Sequence, residues 1–448
     1  MEDLDDKYKA AFSVGGIAAD VEMSIVLDEI RESNAVQYWS ITSGSSIISS
    51  PTIYKDTIYF GCNDGILYAL STTGQLKWKF LTGDTIVSSP VIHKEKIHFG
   101  SYDGNFYCLN LDGWVVWRFN CGDSIAATPC IFSDKIYFGS KTGFFYCLSE
   151  DGTLIWKTQL GGEISSSAAA SDKGIFVGSW DGYVYCLDYS GKIKWKFKTG
   201  GFVASGILSH NNRLYFPSLD KKLYCIDYEG KLLWSFRTPE SVTGTGIIAE
   251  YNSVYFGCRD NNMYAVSADT GNLIWKLPAE NMIVGAYSTD DKNLYFGSTD
   301  YSLYAIDKKA GTLLWKYKTN GILVSRPVIF EGKIFFGNWN GKFYCLSITG
   351  EQLWEFQASS KPPSHIHVAH WDETRKKIVE MGSEILVDIK KDPEENKGFG
   401  LDQYTGRRKP VYITSKATTG YIKRKEIRVR RDGTVEEEKY TEGGGHGH

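Results

Sequence analysis

Nine cysteines, eight histidines and one arginine set among serines are the residues of this 448-residue chain best suited to chemistry. Thiolates attack, bind metal or pair as disulfides. Five of the thiols, Cys108, Cys147, Cys186, Cys225 and Cys345, each follow a tyrosine at one recurring position. Three further copies of that position, after Tyr68, Tyr264 and Tyr304, carry alanine. A place that takes Cys or Ala alike selects a small apolar side chain, not a nucleophile. Neighbouring copies of a repeat lie too far apart for a disulfide, and no Cys-x-x-Cys pair is present. With an odd cysteine count, these points predict a reducing, cytoplasmic setting.

Three histidines, His365, His367 and His370, sit close together near the C-terminus. On a strand, His365 and His367 share a face, and a third imidazole would complete a divalent-metal site such as zinc. Ordinary polar strand residues are the plainer reading. The chain shows no phosphate loop, nucleophile elbow or paired-carboxylate motif, so no catalytic residue is assigned.

The elements that position these residues are set by a repeat. Tryptophans recur at Trp39, Trp78, Trp117, Trp156, Trp195, Trp234, Trp275, Trp315 and Trp354, with intervals of 39 to 41 residues. Nine markers enclose eight units. Each unit holds four short apolar runs separated by Gly, Asp and Asn turns, as in SSPVIHKEKIHF-GSYDG-NFYCLN-LDG-WVVWRF. Four strands in about 40 residues is the pattern of a propeller blade. In QLKWKF the alternation places Leu76, Trp78 and Phe80 on one face, with Lys77 and Lys79 on the other. Lysine next to most markers suits an outer edge strand, where charge discourages unwanted pairing. The indole then covers the seam with the next blade, and the glycine before it, as in Gly113 or Gly152, suits a turn of positive φ. Two arrangements close a ring with nine markers. Either the strand at Trp39 completes the last blade, or the strand at Trp354 does.

The units YAVSADTGNLIW (Tyr264 to Trp275) and YAIDKKAGTLLW (Tyr304 to Trp315) each match A-x-D-x-x-T-G-x-x-x-W at all but one position. Residues 39–356 thereby resemble the pyrroloquinoline-quinone-like β-propeller family. The resemblance implies an all-β, eight-bladed propeller of four-stranded blades with tryptophans docked between them. That family includes quinoprotein dehydrogenases, for which pyrroloquinoline quinone and a divalent metal would be the cofactors, and an outer-membrane assembly lipoprotein. Adjacent cysteines and a calcium-binding Glu/Asn/Asp set are not evident in the sequence, and neither an export signal nor a lipobox is expected. Neither activity transfers residue by residue, and no cofactor is predicted.

Two sets of loops meet on one rim of such a propeller. Most members are small and glycine-rich, but Tyr102, Trp180 and Trp339 place aromatics there, and Arg259 and Lys141 add charge. Rigid loops with exposed aromatics make a platform for partners. The tryptophans alternatively cover their own turns. Positions ten and eleven after each marker line the channel, from Ser49-Ser50 and Ser88-Ser89 round to Gly285-Ala286 and Ser325-Arg326. Small residues allow eight strands to converge. Arg326, the only charged member, either binds an anion, or is neutralised by Asp84, Asp123 or Glu163, or is solvated.

The organisation expected is therefore an N-terminal extension 1–38 with a short helix around 20–33, the propeller 39–356, a linker 357–363, a small C-terminal module 364–442 that is β-rich or α+β, and a Gly/His tail 443–448. Segment 407–431 is strongly basic. A hairpin with Asp432-Gly433 at its tip would set Arg428 and Arg430 against Glu436 to Glu438. An acidic protein partner is the second reading of that segment. Nucleic acid is the weakest, because stacking aromatics are missing beyond Tyr421. No run of 18 apolar residues is present. The function expected is a non-catalytic binding or assembly scaffold with a protein partner. The alternative is a quinone- or metal-dependent oxidoreductase. The oligomeric state is left open.

Overall fold

The computed structural model describes residues 46–358 apart from 244–245, and the backbone course of four further strands. The chain divides into two compact units, Met1–Ser360 with His367–Ala369, and Lys361–Ile366 with His370–His448.

The first unit is an eight-bladed β-propeller. Its blades are four-stranded antiparallel sheets spanning 52–81, 91–120, 130–159, 169–198, 208–237, 248–278, 287–318 and 328–357. Within each blade the strands follow chain order from the axis outward. The inner strand has only three residues, which lets eight of them converge. The second and third strands are almost wholly buried, because sheets pack against both of their faces. The marker tryptophan stands on the outer strand. The strand of Trp354 completes the eighth blade, which resolves the closure question, and Trp39 lies outside the described residues with the candidate N-terminal helix. The outer strand of the first blade carries a fifth, two-residue strand, His367–Val368, running parallel opposite Phe80 and Leu81.

One contact is repeated at every seam. Each indole Nε1 donates to a backbone carbonyl in the next blade's outer turn. The pairs are Trp78 to Leu111, Trp117 to Glu150, Trp156 to Tyr189, Trp195 to Tyr228, Trp234 to Ala268, Trp275 to Lys308 and Trp315 to Ile348, at 2.9–3.2 Å. Trp354 donates to Thr72 of the first blade at 3.2 Å and so closes the ring. Each indole lies flat on the glycine of the turn it reaches. Those glycines have φ between +67° and +91°. A Cβ on Gly152 would meet the Trp117 ring at 2.6 Å. Both the backbone sign and the close approach therefore require glycine. The indole also packs on the second-strand aromatic of its own blade, with centroids 5.8–6.0 Å apart from Tyr59–Trp78 to Phe335–Trp354. His98 takes this place in the second blade.

A bulge at the start of every outer strand modifies the alternation expected for QLKWKF. The register skips one residue, so that Ala69 faces Trp78 while Leu70 faces Leu76. Leu76 is thereby turned out to 43% exposure, away from the face of Trp78 and Phe80.

In the second unit, Ile422–Val429 is central in a three-stranded antiparallel sheet with Val411–Lys416 and Val435–Thr441. Arg428 pairs opposite Glu436 in the register. The Asp432-Gly433 tip and Arg430 lie outside the described residues.

Candidate functional site

Most of the repeated polar groups are consumed by the fold. In six blades an aspartate of the second-to-third-strand turn accepts the hydroxyl of the tyrosine four residues on. The pairs are Tyr68–Asp64, Tyr107–Asp103, Tyr185–Asp181, Tyr224–Asp220, Tyr264–Asp260 and Tyr304–Asp300. The same carboxylates accept nearby backbone amides, as from Ile66 to Asp64 and from Asn105 to Asp103. These turn aspartates are structural, and the Asp-x-x-x-Tyr spacing was the overlooked signal for them. The lysine after the marker also has a structural partner. Lys79, Lys157, Lys196 and Lys316 lie over aromatic rings of the third strand at 4.6–5.1 Å.

The rim aromatics need correction. Trp180 and Tyr102 are each only 8% exposed, as is Arg259. Trp180 stacks on Phe202 with centroids 5.5 Å apart and donates to Ser165 Oγ at 2.8 Å. Neither Trp180 nor Tyr102 is a free platform residue, because both are buried, Trp180 among Ala126, Phe202, Ala204 and Leu219. Trp339 is half-buried, and Lys141 is exposed.

Apolar surface is exposed elsewhere. Twelve outer-strand residues at or beside the bulges stand out at 40–51% exposure. On the fifth to eighth blades they are Leu232, Leu233, Leu273, Ile274, Leu313, Leu314 and Leu353. Strand alternation alone assigned half of these to a covered face.

The thiols are inert. Seven of the nine cysteines are buried. Burial pushes Cys147, Cys186 and Cys345 up to about 11, far from a reactive thiolate. His98 Nε2 lies 3.5 Å from Cys108 Sγ, and burial lowers the His98 imidazole to about 4. Among the described residues no three His, Cys, Asp or Glu are grouped to hold a metal. His365 and His370 lie outside the described residues, and of His367 only the strand position is described.

Around the axis a second set of contacts joins neighbouring blades. The Ser50 amide donates to Ser89 Oγ at 2.9 Å, and the Ser89 amide to Thr128 Oγ1 at 3.2 Å. The Arg326 amide donates to Ser50 Oγ at 3.1 Å, which joins the last blade to the first. Arg326 Nε also donates to Ser288 Oγ at 3.1 Å. No ion pair of Arg326 exists among the described residues, so neutralisation by Asp84, Asp123 or Glu163 is not what the structure shows. Away from the axis, a cleft of about 320 Å³ lies between the first two blades, lined by Tyr54, Lys55, Asp56, Lys77 and Trp78 among others. Its lysines are already engaged, Lys77 with Asp56 and Lys55 with Glu95.

A ring of eight sheets whose repeated polar groups are engaged within its own turns and across its own seams defines a closed β-propeller with a packed interior. The chain belongs to the pyrroloquinoline-quinone-like β-propeller family. The family model described as "Outer membrane protein assembly factor BamB" matches residues 180–369 and 259–418, together over half of the chain. The model described as "Beta-alanine-activating enzyme, beta-propeller" matches residues 23–253. No curated protein matches. Among solved structures, the computationally designed Ika8 protein is similar with a TM-score of 0.62 at 16% identity, over 68% of this chain and 98% of that one. BamB from Moraxella catarrhalis gives 0.55 at 18% identity, over 69% and 95%. At these identities the structural likeness concerns the fold alone.

Proposed function

We propose that this chain is a non-catalytic protein-binding or assembly scaffold. The observation that carries the reading is the band of exposed leucines and isoleucines on the outer strands of four successive blades. Apolar surface of this kind on a rigid frame marks an interaction site more often than it marks chance. The partner in this reading supplies an extended segment that lies along the outer edge of a blade. The first blade supports it, since its outer strand already takes a short parallel strand, His367–Val368, from the same chain. The family model named for an assembly factor supports it further. Buried thiols in seven positions favour a reducing, cytoplasmic setting. Among the described residues no helix is long and apolar enough to cross a membrane.

The test is affinity capture from the native cell with the full chain and a Leu273→Lys/Ile274→Lys/Leu313→Lys/Leu314→Lys variant. Loss of a captured protein, with the thermal midpoint unchanged, is expected. Capture that survives all four substitutions would overturn the outer-edge surface. A stoichiometric chromophore or bound metal in the purified protein would replace the scaffold by an oxidoreductase.

A further inference from the structure

Among the described inner-ring positions six are small: Ser50, Ser89, Thr128, Ser167, Gly206 and Ala286. The other is Arg326. Its Nε is spent on Ser288 Oγ, which fixes the plane of the guanidinium against the seventh blade. The Ser288 hydroxyl proton goes to the Pro327 carbonyl, which leaves its oxygen to accept from Arg326. The two terminal nitrogens of Arg326 have no protein acceptor among the described residues. Solvent reaches the side chain along the axis, so it is exposed. Protein packed round the channel still desolvates it, and desolvation alone lowers its pKa from the usual value. An arginine remains a cation under such a shift.

The serines beside it supply a second, independent observation. Ser50, Ser89 and Thr128 each use an oxygen lone pair to accept a neighbouring amide. None of these hydroxyl protons has an acceptor among the described residues. Three half-buried O–H donors therefore stand at the inner positions of the next three blades round the channel from a guanidinium whose Nε is fixed. No carboxylate is ion-paired with Arg326 among the described residues. Donors without acceptors, around an uncompensated cation, complement an oxyanion.

We propose that Arg326, with Ser50, Ser89 and Thr128, forms a small-oxyanion subsite in the propeller channel that takes a carboxylate or phosphate group. The guanidinium edge holds two oxygens side by side, and the Ser50 hydroxyl donates to the nearer one. This site is independent of the outer-edge surface, so either can fail without the other.

The test is isothermal titration calorimetry of the full chain with inorganic phosphate and, separately, with succinate, to distinguish the two anion classes. Saturable binding of at least one probe is expected. Arg326→Gln should weaken it roughly tenfold or more, equivalent to ~1.4 kcal/mol. Arg326→Lys keeps the charge without the two-pronged geometry and should fall between. The unfolding midpoint of Arg326→Gln should match the wild type, since only one side-chain hydrogen bond is lost. If that variant fails to fold, Arg326→Lys and Ser50→Ala carry the comparison. The absence of saturable heat with both probes up to about 10 mM, where even weak sites fill, overturns the proposal. So does wild-type affinity in the arginine variants.

Discussion

At the outer edge of the wheel one contact is made eight times, from Trp78 onto Gly113 to Trp354 onto Gly74. Around the axis, the described inner positions are small except for Arg326. The outer ring is uniform because every seam has the same mechanical task. An indole must fill the gap between two sheets, and only glycine leaves room for it. The inner ring is not uniform, and its exception is a charged group that closure does not need, since serine, glycine and alanine all serve there. Uniform positions therefore report on assembly of the ring, and a departure from uniformity points to something the ring alone does not explain. Two departures stand out. Arg326 faces the channel. His98 takes the place of Tyr or Phe in the other seven blades and is fully buried.

Breaking a uniform position should cost most. Gly152→Val puts a β-branched residue at φ +84°, against the Trp117 ring. Strain and overpacking together should destabilise by about 3 kcal/mol or more, read as a drop in the denaturant midpoint. Wild-type stability for this variant would mean that the turn relaxes freely and the seam is loose.

His98 gives an effect almost as large, but only in acid. Its pKa falls from 6.5 to about 4 because burial disfavours the imidazolium. The folded state therefore prefers the neutral ring, and the unfolded state binds more protons between those values. Stability from this group is full above pH ~6.5 and is lost as pH falls toward 4, by roughly 3 kcal/mol at ~1.4 kcal/mol per pH unit. His98→Tyr, the residue of five other blades, should remove that component. Parallel stability-versus-pH curves for the variant and the wild type would contradict it.

Smaller effects sharpen the comparison. Tyr107→Phe deletes one hydrogen bond to Asp103, which keeps its backbone donors at Gly83 and Asn105. A loss of about 1–1.5 kcal/mol is expected. Cys147→Ala should cost under ~1 kcal/mol, because three blades already carry alanine there, fully buried. A loss above 3 kcal/mol would show that the blades are not interchangeable at this position.

The fold was legible because the marker tryptophans keep their spacing over eight units. Period alone has no phase, however, so the sequence left open whether Trp39 or Trp354 closed the last blade. The site was less legible, for particular reasons. Trp180 read as exposed because Phe202, the ring that covers it, is 22 residues on in another loop. Leu76 read as covered because strict alternation takes no account of a bulge. Asp103 and its counterparts read as ordinary turn residues, because only the folded hairpin brings the Tyr107 hydroxyl back to the same turn. Arg326 was recognisable as the charged exception, but that it has no ion-pair partner among the described residues emerges only in three dimensions.

The central claim is that the outer ring is closed, so that the seam between last and first blades is equivalent to any internal one. Denaturant unfolding of Trp354→Ala beside Trp156→Ala tests this directly. Equal losses of about 3 kcal/mol are expected, since each indole fills the same gap and makes the same hydrogen bond. A wild-type midpoint for Trp354→Ala, with Trp156→Ala strongly destabilised, would show an open ring and contradict the account.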